Sequence, residues 1–221
     1  MNEVVKSTIL IFGTLFPIVN PLGNTPFFLS ITGDRTGGER VALSRRIALN
    51  SFFLLIASLL VGTHILSFFG ISLPVVQVGG GLVVISTGWT MLNWKPDGDG
   101  SEVVRRNTGK KDISEQAFYP LTLPLTVGPG SISVAITLGA NSPHHAGVNL
   151  LAILPAVMGA LLIALSVHLC YGFAERLARL IGAAAMGVVM RLSSFLLVCI
   201  GVQIVWNGVS ALLHTLPGIS R

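Results

Sequence analysis

Residues 16–26 read FPIVNPLGNTP, in the middle of the first long apolar stretch of the chain. The segment holds three prolines, a glycine and two asparagines. Each proline removes a backbone donor, and an asparagine side chain is costly to place in hydrocarbon. Helix-breaking residues at the centre of an apolar run predict a break that is built in, with the freed backbone groups turned towards protein or water.

The surrounding composition supports a membrane setting. Of 221 residues, 52% are hydrophobic and only 10% charged, against about 25% charged in a soluble domain. Mean hydropathy is +0.78. Six apolar segments are expected, at about 4–31, 47–69, 73–94, 117–140, 149–172 and 188–213, each near the roughly 20 residues that cross a bilayer. The first is long enough, at about 1.5 Å per residue, to need tilt or a break. No small-residue cleavage site follows its start, so it is expected to be a retained helix rather than a signal peptide.

Twelve of the fourteen Lys and Arg residues fall in three inter-segment stretches. Arg35, Arg40, Arg45 and Arg46 lie in 32–46. Lys95, Arg105, Arg106, Lys110 and Lys111 lie in 95–116. Arg176, Arg179 and Arg191 lie in 173–191. The positive-inside rule puts these three on the cytoplasmic side and both termini outside. The net charge of +5 is thereby assigned to topology, and nucleic acid is not implied as a partner. The partners expected are the lipid bilayer and an unidentified small solute, and oligomeric state is left open.

The chain divides into halves, 1–94 and 117–221, joined by a polar linker, 95–116. LFPIVNPLG (15–23) opens the first half, and LTLPLTVGPG (121–130) opens the second. Near the end of each half, QVGGGLVVISTGWTML (77–92) aligns without gaps with RLSSFLLVCIGVQIVW (191–206). Three segments per half is an odd number, so the second half enters the membrane from the opposite side. The expected fold is an all-α integral membrane protein of six transmembrane helices, a 3+3 inverted-topology repeat with helices 1 and 4 broken near the midplane.

In that arrangement the second half-helices start near Gly23 and Gly130, with their N-termini aimed at the midplane from opposite faces. Helix N-termini suit anions, and the carbonyls ending the preceding half-helices suit an ammonium or small cation. The candidate substrate-binding residues are therefore Asn20, Pro21, Gly23 and Asn24 at the first break, with Thr126, Gly128, Pro129, Gly130 and Ser131 at the second. Thr25 and Ser133 stand beside them. These polar groups either cap freed backbone or contact a ligand. Gln77 and Arg191 occupy equivalent repeat positions. Arg191 either faces the interior or snorkels to the surface. Gln203 lines a cavity or bonds a neighbouring helix.

Other classes lack their signatures. No phosphate loop, catalytic triad pattern or HExxH pair is present, and the five histidines are scattered, His144 and His145 in an outer loop. No Asp or Glu lies in a segment core. The two cysteines fall in apolar segments and imply neither disulfide nor metal. No cofactor, metal or enzymatic activity is expected.

With PIVNPLG, LPLTVGPGSI, RLSSFLLVCIGVQIVWNGV and FGISLPVVQVGGGLVV (69–84) in order along the chain, the sequence resembles the MarC family of bacterial inner-membrane proteins over nearly its whole length. That family is named for an association with multiple antibiotic resistance and is grouped with the LysE-type exporters of amino acids and similar solutes. The resemblance implies a six-helix inner-membrane protein and efflux of small polar solutes. Family members often carry arginine where Gln77 stands and glycine where Ser194 stands, which removes a charge at the first position. The alternative is a non-transporting membrane protein with an assembly, lipid-interaction or stress-related role, in which the breaks are packed and dry.

Overall fold

The computed structural model describes residues 2–93, 113–141 and 150–215. Most of the 95–116 linker, and the outer loop with His144 and His145, lie outside the described residues. Among the described residues every regular element is a helix: α1 (Asn2–Val19), α2 (Thr25–Ile31), α3 (Gly37–Phe68), α4 (Leu73–Leu92), α5 (Ile113–Gln116), α6 (Ala117–Thr126), α7 (Pro129–Ala140), α8 (Leu150–Gly172), α9 (Ala174–Ile181) and α10 (Ala183–His214). Within these, Gly37–Phe68, Leu73–Leu92, Ile153–Gly172 and Ala184–His214 are long and apolar enough to cross a membrane. The pair α6 and α7, bent by 66°, makes up to five if counted as one span.

Large apolar side chains cover the outside, among them Phe53, Trp89, Phe195 and Trp206, each more than half exposed. Such a surface suits lipid rather than water. The interior is built from Leu15, Val19, Phe28, Leu55, Leu121, Ile163 and Tyr171, all fully buried.

Several boundaries differ from the sequence expectation, for local reasons. The helix expected from 47 starts at Gly37, where Thr36 and Glu39 form a reciprocal capping box. Arg40, Arg45 and Arg46 therefore sit on the first turns of α3 and not in a loop. The 173–191 stretch is likewise structured, with α9 running to Ile181 and α10 beginning after Gly182, which adopts φ +81°. The last four residues of the expected linker, Ile113–Gln116, are helical and lead directly into α6.

Two helix pairs meet through glycine. A Cβ on Gly81 would stand 2.8 Å from the Gly201 carbonyl, and one on Gly88 would stand 2.9 Å from the Ser194 carbonyl. One on Gly208 would meet the Pro74 carbonyl at 2.7 Å. Contacts that rise along α4 and fall along α10 define an antiparallel pair at backbone contact, as small-residue interfaces in membranes allow. α3 and α7 also run antiparallel: a Cβ on Gly139 would lie 2.0 Å from the Leu59 carbonyl, and one on Gly62 would lie 2.3 Å from Ile136.

Candidate functional site

The first break is a compact knot of residues 20–24. Asn20 ends α1 in the left-handed region at φ +48°, a conformation that asparagine tolerates and that commonly terminates helices. Its N–H still donates to Phe16 O at 2.9 Å. Its Oδ1 accepts from the Gly23 N–H at 3.1 Å. Glycine at 23 leaves room for the Asn20 amide, which a Cβ there would meet at 2.3 Å and displace from its bond to the Gly23 N–H. Pro21 follows the stop and cannot continue the helix. The Thr25 hydroxyl donates back to Pro21 O at 2.8 Å. Pro17, in contrast, is accommodated inside the last turn of α1. The second half-helix starts at Thr25 rather than near Gly23.

The second break is wider. The backbone leaves helical geometry at Tyr119 and at Leu123. The Val127 N–H reaches five residues back to Thr122 O at 2.8 Å, and the hydroxyls of Thr122 and Thr126 donate to Ala117 O and Leu121 O, also five back, at 2.6 and 2.7 Å. Prolines 120 and 124 remove two ladder donors here, and the threonine hydroxyls add donors to the carbonyls of Ala117 and Leu121 within the irregular stretch. So this half-segment is not the regular α-helix with free terminal carbonyls expected from sequence. Gly128 then caps α7 in extended conformation, Pro129 takes the first helical position, and the Ser131 hydroxyl donates to Gly128 O at 2.9 Å. Gly130 lets α7 lie on α4, since a Cβ there would meet Val84 at 2.2 Å. Ser133 donates to Val76 O on α4 at 2.8 Å.

The two breaks touch. Asn24 does not cap α2. Its Nδ2 donates to Val19 O at 2.9 Å and to Leu125 O at 3.1 Å, joining both breaks through one amide. Thr126 shares a 3.1 Å hydrogen bond with the Tyr171 hydroxyl. The Tyr171 ring stacks on Phe28 of α2, 4.6 Å between centroids and 7° from parallel. Asn20 Nδ2 and Asn24 Oδ1 are buried without a hydrogen-bond partner.

A void of about 30 Å³ opens at this junction, walled by Ile18, Thr87, Thr126, Gly128, Gly130 and Ser131. That is room for a water molecule, which needs about 10–15 Å³. Beyond it lies a cavity of about 390 Å³ between α2, α4 and α6, with Phe27, Ser86, Thr87, Thr90 and Tyr119 in its wall. The two share Thr87, Pro124 and Leu125. Among the described residues no Asp, Glu, Lys, Arg or His lines either space.

Three candidates stand away from the breaks. Gln77 is half-buried, its Cβ close to Gly208 of α10. Arg191 is exposed. Gln203 is exposed and donates to Asn207 of its own helix at 2.9 Å, neither lining the void nor bonding a neighbouring helix. The glycine faces of α4 and α10 meet each other, which leaves Arg191 and Gln203 on the outer side. Tyr171 was not singled out by sequence, and neither was the hydroxyl face of Ser86, Thr87 and Thr90. The available signal was three hydroxyls at helical spacing in an apolar segment. His168 pairs with the Ser44 hydroxyl at 3.0 Å. Among the described residues no group of three His, Cys, Asp or Glu gathers to hold a metal.

Long apolar helices with lipid-suited exteriors, packed around polar breaks, define a multi-pass integral membrane protein. The model of the MarC family integral membrane proteins matches residues 5–213, and the chain belongs to that family. It is 29% identical over 222 residues to the inner membrane protein MarC of Salmonella typhimurium, covering 97% of this chain and 99% of that one. It is 30% identical over 223 residues to MarC of Citrobacter koseri, at the same coverage. It is 28% identical over 206 residues to the membrane protein YvbG of Bacillus subtilis, covering 93% and 95%. No solved structure matches the chain.

Proposed function

We propose that the chain is a secondary transporter that exports small polar solutes across the bacterial inner membrane, with its site at the junction of the two breaks. The observation that carries this reading is a pair of adjoining spaces that share Thr87, Pro124 and Leu125 in their walls: a cavity of about 390 Å³ and a polar void beside Thr126 and Ser131. A path from such a cavity to irregular backbone is what alternating access needs on one side. The hydroxyl and apolar side chains that the described residues bring to the walls suit a neutral or zwitterionic solute better than a net ion. The inner-membrane location agrees with the names of the Salmonella and Citrobacter relatives.

The architecture proposed with it is six spans as a 3+3 inverted repeat, with α1–α2 as the broken first span and α6–α7 as the broken fourth. The packing partners support this. α4 with α10, and α3 with α8, pair as a two-fold axis in the membrane plane would pair equivalent segments. α1 with α8 corresponds to α6 with α3, and α4 with α7 corresponds to α10 with α2. Both termini would face outward, following the distribution of arginine and lysine.

A second reading is favoured by a specific observation. Asn24, Thr126, Ser131 and Ser133 are all nearly fully buried, and each spends a donor on a backbone carbonyl. That is what packed, dry breaks in a non-transporting membrane protein require. Metabolite profiling of medium and cytosol from deletion and overexpression strains separates the two. A solute that accumulates inside the deletion strain and outside the overexpressing strain supports export. No such solute, or unchanged transport by well-folded Asn20→Ala and Gly130→Leu variants, counts against the site.

A further inference from the structure

α9, Ala174–Ile181, links α8 to α10. At about 1.5 Å per residue it is roughly 12 Å long, too short to span a bilayer. Its sequence AERLARLI alternates charge with apolar groups around one short helix. Leu180 is 85% exposed, and Phe173 and Ile181 are also turned outward. Apolar side chains displayed beside arginines are the composition of an element lying in the membrane interface.

Next to α9 is a cavity of about 290 Å³, into whose wall Arg40, Glu175, Arg176 and Arg179 enter together with Tyr171 and Phe173. Arg40 is engaged on every side. It pairs with Glu175, and donates to Thr32 O at 3.0 Å and to Gly33 O at 3.2 Å. Arg176 stands over the Phe173 ring at 5.5 Å. Neither Arg176 nor Arg179 forms an ion pair among the described residues. Among the described residues Glu175 is the one carboxylate of the cavity and it is taken by Arg40, so the guanidinium groups of Arg176 and Arg179, on adjacent turns, stand at the wall without an ion pair among those residues.

We propose that this cavity binds the phosphate headgroup of an anionic phospholipid. Guanidinium groups match phosphate oxygens in a planar fork. The exposed Phe173, Leu180 and Ile181 offer the lipid's acyl chains a surface that a soluble phosphate would leave bare. The proposal rests on α9 lying at the membrane interface. It is independent of whether the chain transports anything and of which leaflet holds α9.

The test uses full-length protein in nanodiscs of phosphatidylcholine with a minor fraction of phosphatidylglycerol, both leaflets alike, followed by quantification of lipid retained on extraction. The wild type is expected to enrich phosphatidylglycerol. Arg176→Gln and Arg179→Gln are each expected to weaken that preference about fivefold, and the double lysine variant is expected to keep part of it. Inorganic phosphate at millimolar concentration should not displace the lipid. A wild type without preference for phosphatidylglycerol overturns the proposal without reference to any variant. So does a folded double glutamine variant that retains the preference, or full displacement by inorganic phosphate, which would mark a soluble-anion site.

Discussion

The side-chain amide of Asn24 donates to the backbone carbonyl of Leu125 at 3.1 Å, across 101 positions of sequence. The same nitrogen holds Val19 O at 2.9 Å. One buried amide thus satisfies the last carbonyl of α1 and a carbonyl freed by the second break. Asn24→Ala leaves both without this donor, and an unsatisfied buried group costs about 1–3 kcal/mol. The expected outcome is a clear fall in the apparent melting temperature of the purified protein. An unchanged melting temperature would mean that the breaks are held together by other contacts.

Tyr171 and Thr126 give a contrast within one hydrogen bond. Thr126 donates to Leu121 O, so the Tyr171 hydroxyl is the donor between the two. Tyr171→Phe removes that donor and keeps the ring on Phe28, and should cost about 1 kcal/mol. Thr126→Val strands the tyrosine hydroxyl and the Leu121 carbonyl together and should cost about 2–3 kcal/mol. Thermal unfolding of both variants and of the double variant reads the coupling, and equal losses would contradict the donor assignment.

Glycine positions separate into two kinds. At Gly139 a Cβ would lie 2.0 Å from the Leu59 carbonyl, with backbone on both sides of the clash, so α3 and α7 must move apart. At Gly13 nothing lies within 4 Å. Gly139→Ala is expected to destabilise by about 1–3 kcal/mol, as overpacking does. Gly13→Ala is expected to be neutral or to stabilise by up to about 1 kcal/mol through helix propensity. Detergent melting curves of the pair check the antiparallel α3–α7 contact directly.

Glu175 is the counter-charge of Arg40, whose side chain is 10% exposed while that of Glu175 is 51% exposed. Glu175→Gln should destabilise by about 1–2 kcal/mol, less than the roughly 3–5 of a fully buried pair, because water screens the glutamate side. Arg40 keeps its bonds to Thr32 O and Gly33 O, so the fold should persist. Retained folding with a lowered melting temperature is the expected result.

Thr87 lies at the join between the large cavity and the small void. In a background with Cys170 and Cys199 replaced, Thr87→Cys is expected to react with a water-soluble thiol reagent if solute reaches the junction. Reaction in inverted vesicles but not in right-side-out ones would also place the opening on the arginine-rich side. No reaction from either side supports the packed, non-transporting reading.

The helix stops around 20–24 and 119–128 were readable because their causes are local, whereas of the six expected spans the described helices give four, or five with the bent pair. A run of apolar residues, a proline without a donor, and Asn20 before Pro21 act within a few residues of themselves. The irregularity of α6 was only partly readable: the prolines announce a break, but the threonine hydroxyls settle its geometry by bonding carbonyls five residues back. Arg191 was grouped with the breaks by its repeat equivalence to Gln77, and Gln203 as a polar residue within an apolar segment. Their exposure follows from the way the glycines of α4 and α10 face each other, and no single-segment pattern contains that information.

The sequence by itself determined that this is an all-helical membrane protein of the MarC family, because burial in lipid demands apolar length and internally satisfied backbone. It also determined where two helices stop. Only the tertiary structure decided that Asn24 bridges both breaks, that Tyr171 completes their junction, and that Arg40 takes Glu175 and leaves Arg176 and Arg179 without an ion pair among the described residues. Those relations depend on which faces of distant helices meet. That is fixed by close packing over the whole bundle, and a hydrogen bond spanning 101 residues leaves no local pattern to read.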